Sequence, residues 1–227
     1  MESLQIREKE IFLTLKAIKR FNFVIIGGYA VNAYALPRFS IDCDIVINEH
    51  SQLNIIENIL KSLGYNKVNA QVSAQFHGEF ARFEKIISQN FKVSIDILYK
   101  EILDRQTEVK FDADWIFNNS GIIALRGKTI TENLKLRIIN LDALIVMKFI
   151  SCRGTDIRDI FMLITKAKDT NWIKQEISKK YDFKNRFSKI REKITSKDFK
   201  DNLQGVYGFI DEKIFQKHKD ALFRLPT

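Results

Sequence analysis

The tract Ile41-Asp-Cys-Asp-Ile-Val-Ile47 alternates residue character with a period of two, a pattern that a β-strand sorts onto opposite faces. Asp42 and Asp44 therefore leave the same face, about 7 Å apart at their Cα atoms. Two carboxylates that close beside apolar neighbours repel each other, and one tends to stay protonated. A divalent cation removes the conflict, and hard carboxylate oxygens suit Mg²⁺ or Mn²⁺. The alternative is a solvent-facing strand that merely alternates Ile with Asp. Upstream, Phe21–Ile26 reads as a buried strand broken by Gly27-Gly28, and Tyr29–Leu36 as a helix ended by Pro37. A glycine pair between strand and helix lets backbone N–H groups approach a phosphate, although many tight turns need the same pair. It is not a P-loop, since no Gly-Lys-Ser/Thr follows. Lys92-Val-Ser-Ile-Asp-Ile-Leu98 predicts a further strand with one carboxylate, Asp96, in its middle. Asp is disfavoured in a strand centre, so it calls for a partner or a metal. A third carboxylate on a neighbouring strand would complete a metal site.

The remaining elements fall into two kinds. Residues 4–20 have near-helical apolar spacing, and Gln52–Leu63 reads as a helix N-capped by Ser51 and closed by Gly64. Phe80–Ile87 and Phe91–Tyr99 are strand-like, Lys100–Asn119 is helix or loop, and Gly121–Arg126 with Lys128–Thr131 suggests a hairpin around Arg126-Gly127. From Asn140 onward strand signals fade. Leu141–Ser151, Asp156–Ala167, Trp172–Tyr181 and Phe187–Ile194 all predict helices. The expected architecture is an α/β (α+β) mixed sheet with flanking helices over residues 1–138, followed by an α-helical part over 139–227.

With 227 residues and 45% hydrophobic content, the chain can bury a core without staples. No stretch approaches the roughly 20 apolar residues that span a bilayer, and the charged N-terminus lacks a signal-peptide core. Cys43 and Cys152 supply neither a disulfide framework nor a zinc set. A cytoplasmic protein with no membrane association is expected. Residues 1–133 carry 16 basic and 16 acidic side chains, so the whole net charge of +9 resides in residues 134–227. That split suggests a site in one part and an anion-holding surface in the other, or else a lysine-rich solvated helical face. Lys174–Lys200 holds ten basic and four acidic residues with Tyr181, Phe183 and Phe187 between them, a composition suited to an RNA backbone or to a solvated face over core aromatics. His50, His77 and His218 lie in unlike contexts, which argues against a histidine metal site or a Ser/His triad.

Gly27-Gly28, the later Asp42-Cys-Asp44 and the strand Asp96 together resemble the polymerase-β-like nucleotidyltransferase superfamily. Within it, Arg38-Phe-Ser-Ile-Asp-Cys-Asp44 is most similar to the AbiEii-type toxin nucleotidyltransferases. Lys148, Arg153 and Asp156-Ile-Arg-Asp-Ile-Phe-Met-Leu163 are similar to that group's Lys, Arg and Asp-x-x-Asp-Leu helices. The resemblance covers about residues 20–165. It departs in having Gly-Gly where the superfamily often has Gly-Ser, and in lacking a counterpart for acceptor-binding motifs after residue 170.

The resemblance implies transfer of a nucleoside monophosphate from an NTP to an acceptor hydroxyl, with release of pyrophosphate. Asp42 and Asp44 would hold Mg²⁺ or Mn²⁺, and Asp96 would share a metal and favour deprotonation of the acceptor. Gly27-Gly28 would hold the β/γ-phosphates. Arg38 would reach phosphate or brace the Asp42 strand, and Lys148 would be a point charge for the triphosphate. Asp156 and Asp159 read as structural partners of Arg153 and Arg158. An RNA or tRNA acceptor fits the basic C-terminal part, and the family adds a toxin role and an antitoxin partner. The alternatives are a small-molecule or protein acceptor, or a non-catalytic member that binds nucleic acid or a partner. Retention of all three carboxylates argues against the last.

Overall fold

The computed structural model describes residues 2–68, 79–88 and 91–225. The chain divides into two compact units: one comprising residues up to Ala33, Phe39–Leu103 and Lys110–Ile139, the other Tyr34–Arg38, Asp104–Val109 and everything from Asn140 onward.

The first unit is built from α1 (Glu2–Ile18), β1 (Phe23–Ile25), α2 (Gly27–Val31), β2 (Asp42–Ile47), α3 (His50–Ser62), β3 (Asn66–Lys67), β4 (Glu79–Ser88), β5 (Phe91–Tyr99), β6 (Glu101–Leu103), β7 (Lys110–Asp112), α4 (Ala113–Asn118), β8 (Ser120–Leu125) and β9 (Leu134–Ile139). Seven strands form one mixed sheet in the order β3-β4-β5-β2-β1-β9-β8, and β6 pairs with β7 separately. The pair β2–β5 is parallel and β4–β5 antiparallel. Parallel central strands are buried on both faces where helices cover them, so β1 and the end of β2 carry Val24, Ile25, Ile45, Val46 and Ile47, none of them exposed. In α1, Ile11, Leu15 and Ile18 recur at helical spacing and are fully buried, as are Ile56 and Leu60 of α3.

Several elements differ from the sequence reading for identifiable reasons. Helix α3 begins at His50 with Glu49 as its N-cap, so Ser51 is already helical and does not cap; Gly64 follows the helix with φ of 88°. Helix α2 stops at Val31, well before Pro37, and the intervening residues form turns and bends. The partner of β8 is Leu134–Ile139, not Lys128–Thr131. The carboxylate of Glu8, 1% exposed, instead accepts from the backbone N–H groups of Lys128 (2.6 Å) and Thr129 (2.8 Å). Those donors are therefore unavailable to a strand ladder. Lys100–Asn119 resolves into β6, β7 and α4.

The second unit carries α5 (Leu141–Ser151), α6 (Gly154–Leu163) with a 3₁₀ turn at Ile164–Lys166, α7 (Thr170–Lys180), α8 (Phe183–Thr195), α9 (Phe199–Tyr207) and α10 (Glu212–Phe223). Helix α5 is buried almost all round, as expected of a helix whose apolar residues are not confined to one stripe. Phe149 of α5 stacks on Phe183 of α8 with ring centroids 5.1 Å apart. The last two helices were not apparent from the sequence. They are fixed by Phe199 and Phe215, which pack on Phe161 at 5.3 and 5.0 Å. Among the described residues, no helix is long and apolar enough to cross a membrane.

Candidate active site

The sheet register brings the acidic residues together. Asp44 on β2 pairs directly with Asp96 on β5, and Asp96 pairs with Arg82 on β4. The three side chains thus form a row across adjacent strands on one face, while Cys43, Ile45, Ile95, Ile97, Ala81 and Phe83 fill the other. Asp42 lies two residues along from Asp44, on the same face. One ligand oxygen from each of Asp42, Asp44 and Asp96 lies within 4.8 Å of the others. Three hard oxygen donors at that separation suit a divalent cation of the Mg²⁺ or Mn²⁺ class.

Their environments are unequal. The Asp96 side chain is 5% exposed and that of Asp42 is 39%. Buried Cys43, between the two β2 aspartates, is a small apolar filler; burial, together with the charges of Asp44, Asp42 and Asp96, pushes its thiol pKa well up.

Gly27 is explained by Asp44. It has φ of 65°, and a Cβ added there would lie 2.0 Å from Asp44 Oδ2. The close approach of a carboxylate, as well as the left-handed backbone, demands glycine. Replacement Gly27→Ala should cost about 1–2 kcal/mol in backbone strain alone and push Asp44 out of the row. Thermal melts would register the first effect and Mn²⁺ titration by electron paramagnetic resonance the second; unchanged Mn²⁺ binding would mean that Asp44 does not depend on the space left by Gly27.

Arg82 escaped the sequence reading. Its Nε and Nη2 donate to the two Asp96 oxygens at 2.8 and 2.6 Å, and Nη2 also lies 3.8 Å from Asp42. The alternation of Phe80-Ala-Arg-Phe-Glu84 does place Arg82 opposite the buried Ala81 and Phe83, but only the β4–β5 register sets it beside Asp96.

Arg38 and Lys148 lie in the second unit, on the buried Asp159. Arg38 donates to both Asp159 oxygens at 2.7 and 2.6 Å, Lys148 Nζ lies 2.7 Å from one of them, and Tyr207 Oη donates to the other at 2.5 Å. Lys148, 7% exposed, also donates to Asp156 at 2.9 Å. The partners of the two aspartates therefore differ from the sequence reading. Asp156 accepts from the Arg153 backbone N–H, while the Arg153 guanidinium pairs with Asp104 and Arg158 reaches the carbonyl of Asn202. Burial alone would raise the Asp159 pKa, yet Lys148 and Arg38 hold it at about 2, below the usual 3.8. The resulting stabilisation is fully present above about pH 4 and disappears as pH falls through about 2, a contribution on the order of 2 kcal/mol. Denaturant melts of wild type and Asp159→Asn should therefore differ most at neutral pH and converge toward pH 2.

Among the described residues, His50 and His218 take no part in the acidic row. His50 packs on the Tyr99 ring at 5.4 Å, and His218 bonds the Phe161 carbonyl oxygen with its pKa lowered by burial. His77 lies outside the described residues.

The family model described as nucleotidyl transferase AbiEii toxin, type IV TA system, matches residues 14–225. The chain belongs to this family. It is an α/β nucleotidyltransferase with a seven-stranded mixed sheet and C-terminal helices. Among solved structures, JHP933 from Helicobacter pylori is similar with a TM-score of 0.51 and 15% identity, over 99% of this chain and 92% of that one. The protein ANT(2″)-Ia, solved in complex with adenylyl-2″-tobramycin, is similar with a TM-score of 0.51 and 14% identity, over 80% of this chain and 99% of that one. At such identities the likeness shows the fold alone. No curated protein matches the sequence.

Proposed function

We propose that this AbiEii-family member moves a nucleoside monophosphate from an NTP to a hydroxyl of RNA, with the 3′ end of tRNA as the favoured acceptor. The observation that carries the transferase site is the convergence of Asp42, Asp44 and Asp96. In the reaction the acceptor oxygen forms a bond to the α-phosphorus, the bond from that phosphorus to the bridging oxygen breaks, and pyrophosphate leaves. Mg²⁺ or Mn²⁺ held by the three aspartates would supply positive charge against the triphosphate and the departing pyrophosphate. Asp96 is held in orientation by the Arg82 fork, and its carboxylate would share the metal and take up the acceptor proton. The Gly27-Gly28 backbone is assigned to the β/γ-phosphates. Lys148 and Arg38 act on the triphosphate only if they leave Asp159, so in their present contacts they organise the helical unit.

Arg82 also opposes cation binding by placing its own positive charge on Asp96 and near Asp42. Replacement Arg82→Gln should tighten Mn²⁺ binding about tenfold, the effect of roughly 1.4 kcal/mol of removed repulsion. A Mn²⁺ titration showing weaker binding would make Arg82 a support for the ligands and not a competitor.

The RNA acceptor is supported by the confinement of the net +9 charge to residues 134–227. The family description supports a toxin role and an antitoxin partner, which co-expression with the product of a neighbouring gene would test through growth rescue. For the chemistry, the protein is incubated with each α-labelled NTP, Mg²⁺ and total RNA beside its Asp42→Ala/Asp44→Ala form. Label entering a tRNA-sized band with wild type alone establishes the reading. Label entering protein or a small molecule moves the acceptor to that class, and no transfer together with no Mg²⁺–NTP binding overturns the transferase site.

A further inference from the structure

One stripe of α8, running from Phe183 to Thr195, lines a groove of about 500 Å³ that Phe223 at the end of α10 completes. Residues three and four apart share a helix face, so the rings of Phe183 and Phe187 and the cations Lys184 and Arg191 border the same space. Phe183 and Phe187 are each 4% exposed and stack with centroids 5.6 Å apart, which closes the floor. Phe223 is half-buried and supplies the ring that stays open. Arg191 Cζ stands 4.7 Å from the Phe223 centroid and 5.6 Å from that of Phe187. Lys219 Nζ lies 5.7 Å from the same Phe223 ring. These aromatic contacts hold the Arg191 guanidinium over the groove without using its N–H donors, which an anion can take. Arg191 and Lys184 are exposed, and neither has a carboxylate partner among the described residues. Of the groove's lining, Glu192 alone is acidic.

We infer that this groove holds single-stranded RNA, with a base against Phe223 and Arg191 and the flanking phosphates on Arg191 and Lys184. Aromatic rings and guanidinium planes stack with any base, and cations beside them answer the backbone. An acidic peptide would answer the cations and leave the rings uncovered. The groove gives the basic tract Lys174–Lys200 a divided role: Phe183 and Phe187 belong to the core, while the cations on the same stripe face a ligand. The inference rests on RNA as the acceptor class proposed above, and it assigns no step of the transfer to these residues.

Binding is measured without NTP or divalent metal, at constant ionic strength. The probes are a short oligouridylate blocked at its 3′ end and the same ribose-phosphate backbone lacking bases. Wild type should bind the oligouridylate about tenfold more tightly than the abasic backbone, as stacking predicts. Phe223→Leu, which keeps an apolar side chain, should weaken oligouridylate binding about fivefold and leave backbone binding unchanged. Arg191→Gln, a surface change that serves if Phe223→Leu does not fold, should weaken it about tenfold. Lys217→Gln removes the same charge from α10 outside the groove and should change binding by less than about twofold. No binding by wild type, equal affinity for the abasic backbone, or both groove variants binding as wild type does would overturn the groove. Equal losses with Lys217→Gln and Arg191→Gln would also overturn it, reducing the binding to general electrostatic attraction. Groove-dependent binding without transfer to RNA would keep the groove and remove RNA as the acceptor. Transfer to RNA with unaltered binding by both groove variants would keep the acceptor and remove the groove.

Discussion

Asp44→Asn should reduce nucleotidyl transfer by about a thousandfold or more while the protein remains folded. In the proposed reaction, loss of one charged ligand from a site that neutralises developing phosphate charge removes several kcal/mol from the transition state, and each 1.36 kcal/mol is a factor of ten. Asparagine keeps the shape of the side chain and its close approach to Gly27, where a carboxylate oxygen lies 2.0 Å from where a Cβ would stand. It also removes repulsion from Asp42 and Asp96, so stability should hold or rise slightly. Single-turnover transfer with the labelled NTP, beside a thermal melt, separates the two effects. Activity within tenfold of wild type would show that the acidic row is not the reacting centre.

The largest stability effect should come from Lys148→Met. Lys148 is nearly completely buried and answers two carboxylates, Asp156 and Asp159, at 2.9 and 2.7 Å. Its pKa is set by a contest: burial lowers it, while Asp159 and Asp156 more than compensate and hold the ammonium charged. Methionine fills a similar volume without the charge, leaving Asp156 with only the Arg153 N–H and Asp159 with Arg38 and Tyr207. Breaking a buried pair from one side typically costs about 3–5 kcal/mol, since the remaining charge stays desolvated. Denaturant unfolding should therefore show a large fall in the midpoint, and adding Asp156→Asn should recover part of it, because the two sites share an interaction. A midpoint unchanged by Lys148→Met would free Lys148 for the triphosphate and remove it from the support of α6.

Both experiments address residues whose identity was visible in the sequence and whose surroundings were not. The strand at Asp42–Ile47 announces itself through periodicity, since a residue's neighbours along the chain determine which face it occupies, and helix α5 through a continuous apolar run. The same reasoning placed Asp42 and Asp44 side by side and put Asp96 on a strand of its own. It could not align β5 with β2, because register is a relation between distant segments. For that reason Arg82, fourteen residues before Asp96 in the chain, went unseen as the partner of its carboxylate.

Other elements were misread where a long-range partner decided them. Lys128–Thr131 has local strand propensity, yet Glu8, some 120 residues earlier, takes two of its amide hydrogens. The last two helices have charge interleaved with their apolar residues and are secured by the packing of Phe199 and Phe215 on Phe161. Arg38 sits four residues before the acidic strand, but its guanidinium is answered by Asp159, 121 positions away.

The sequence by itself determined the two-part composition, the strand with its paired aspartates, the glycine turn and the family resemblance, because each is carried by local spacing or residue type. The tertiary structure alone decided which charges meet: Asp44 with Asp96, Arg82 with Asp96, and Lys148 and Arg38 with Asp159. An ion pair depends on distance and burial in three dimensions, and neither is encoded in separation along the chain.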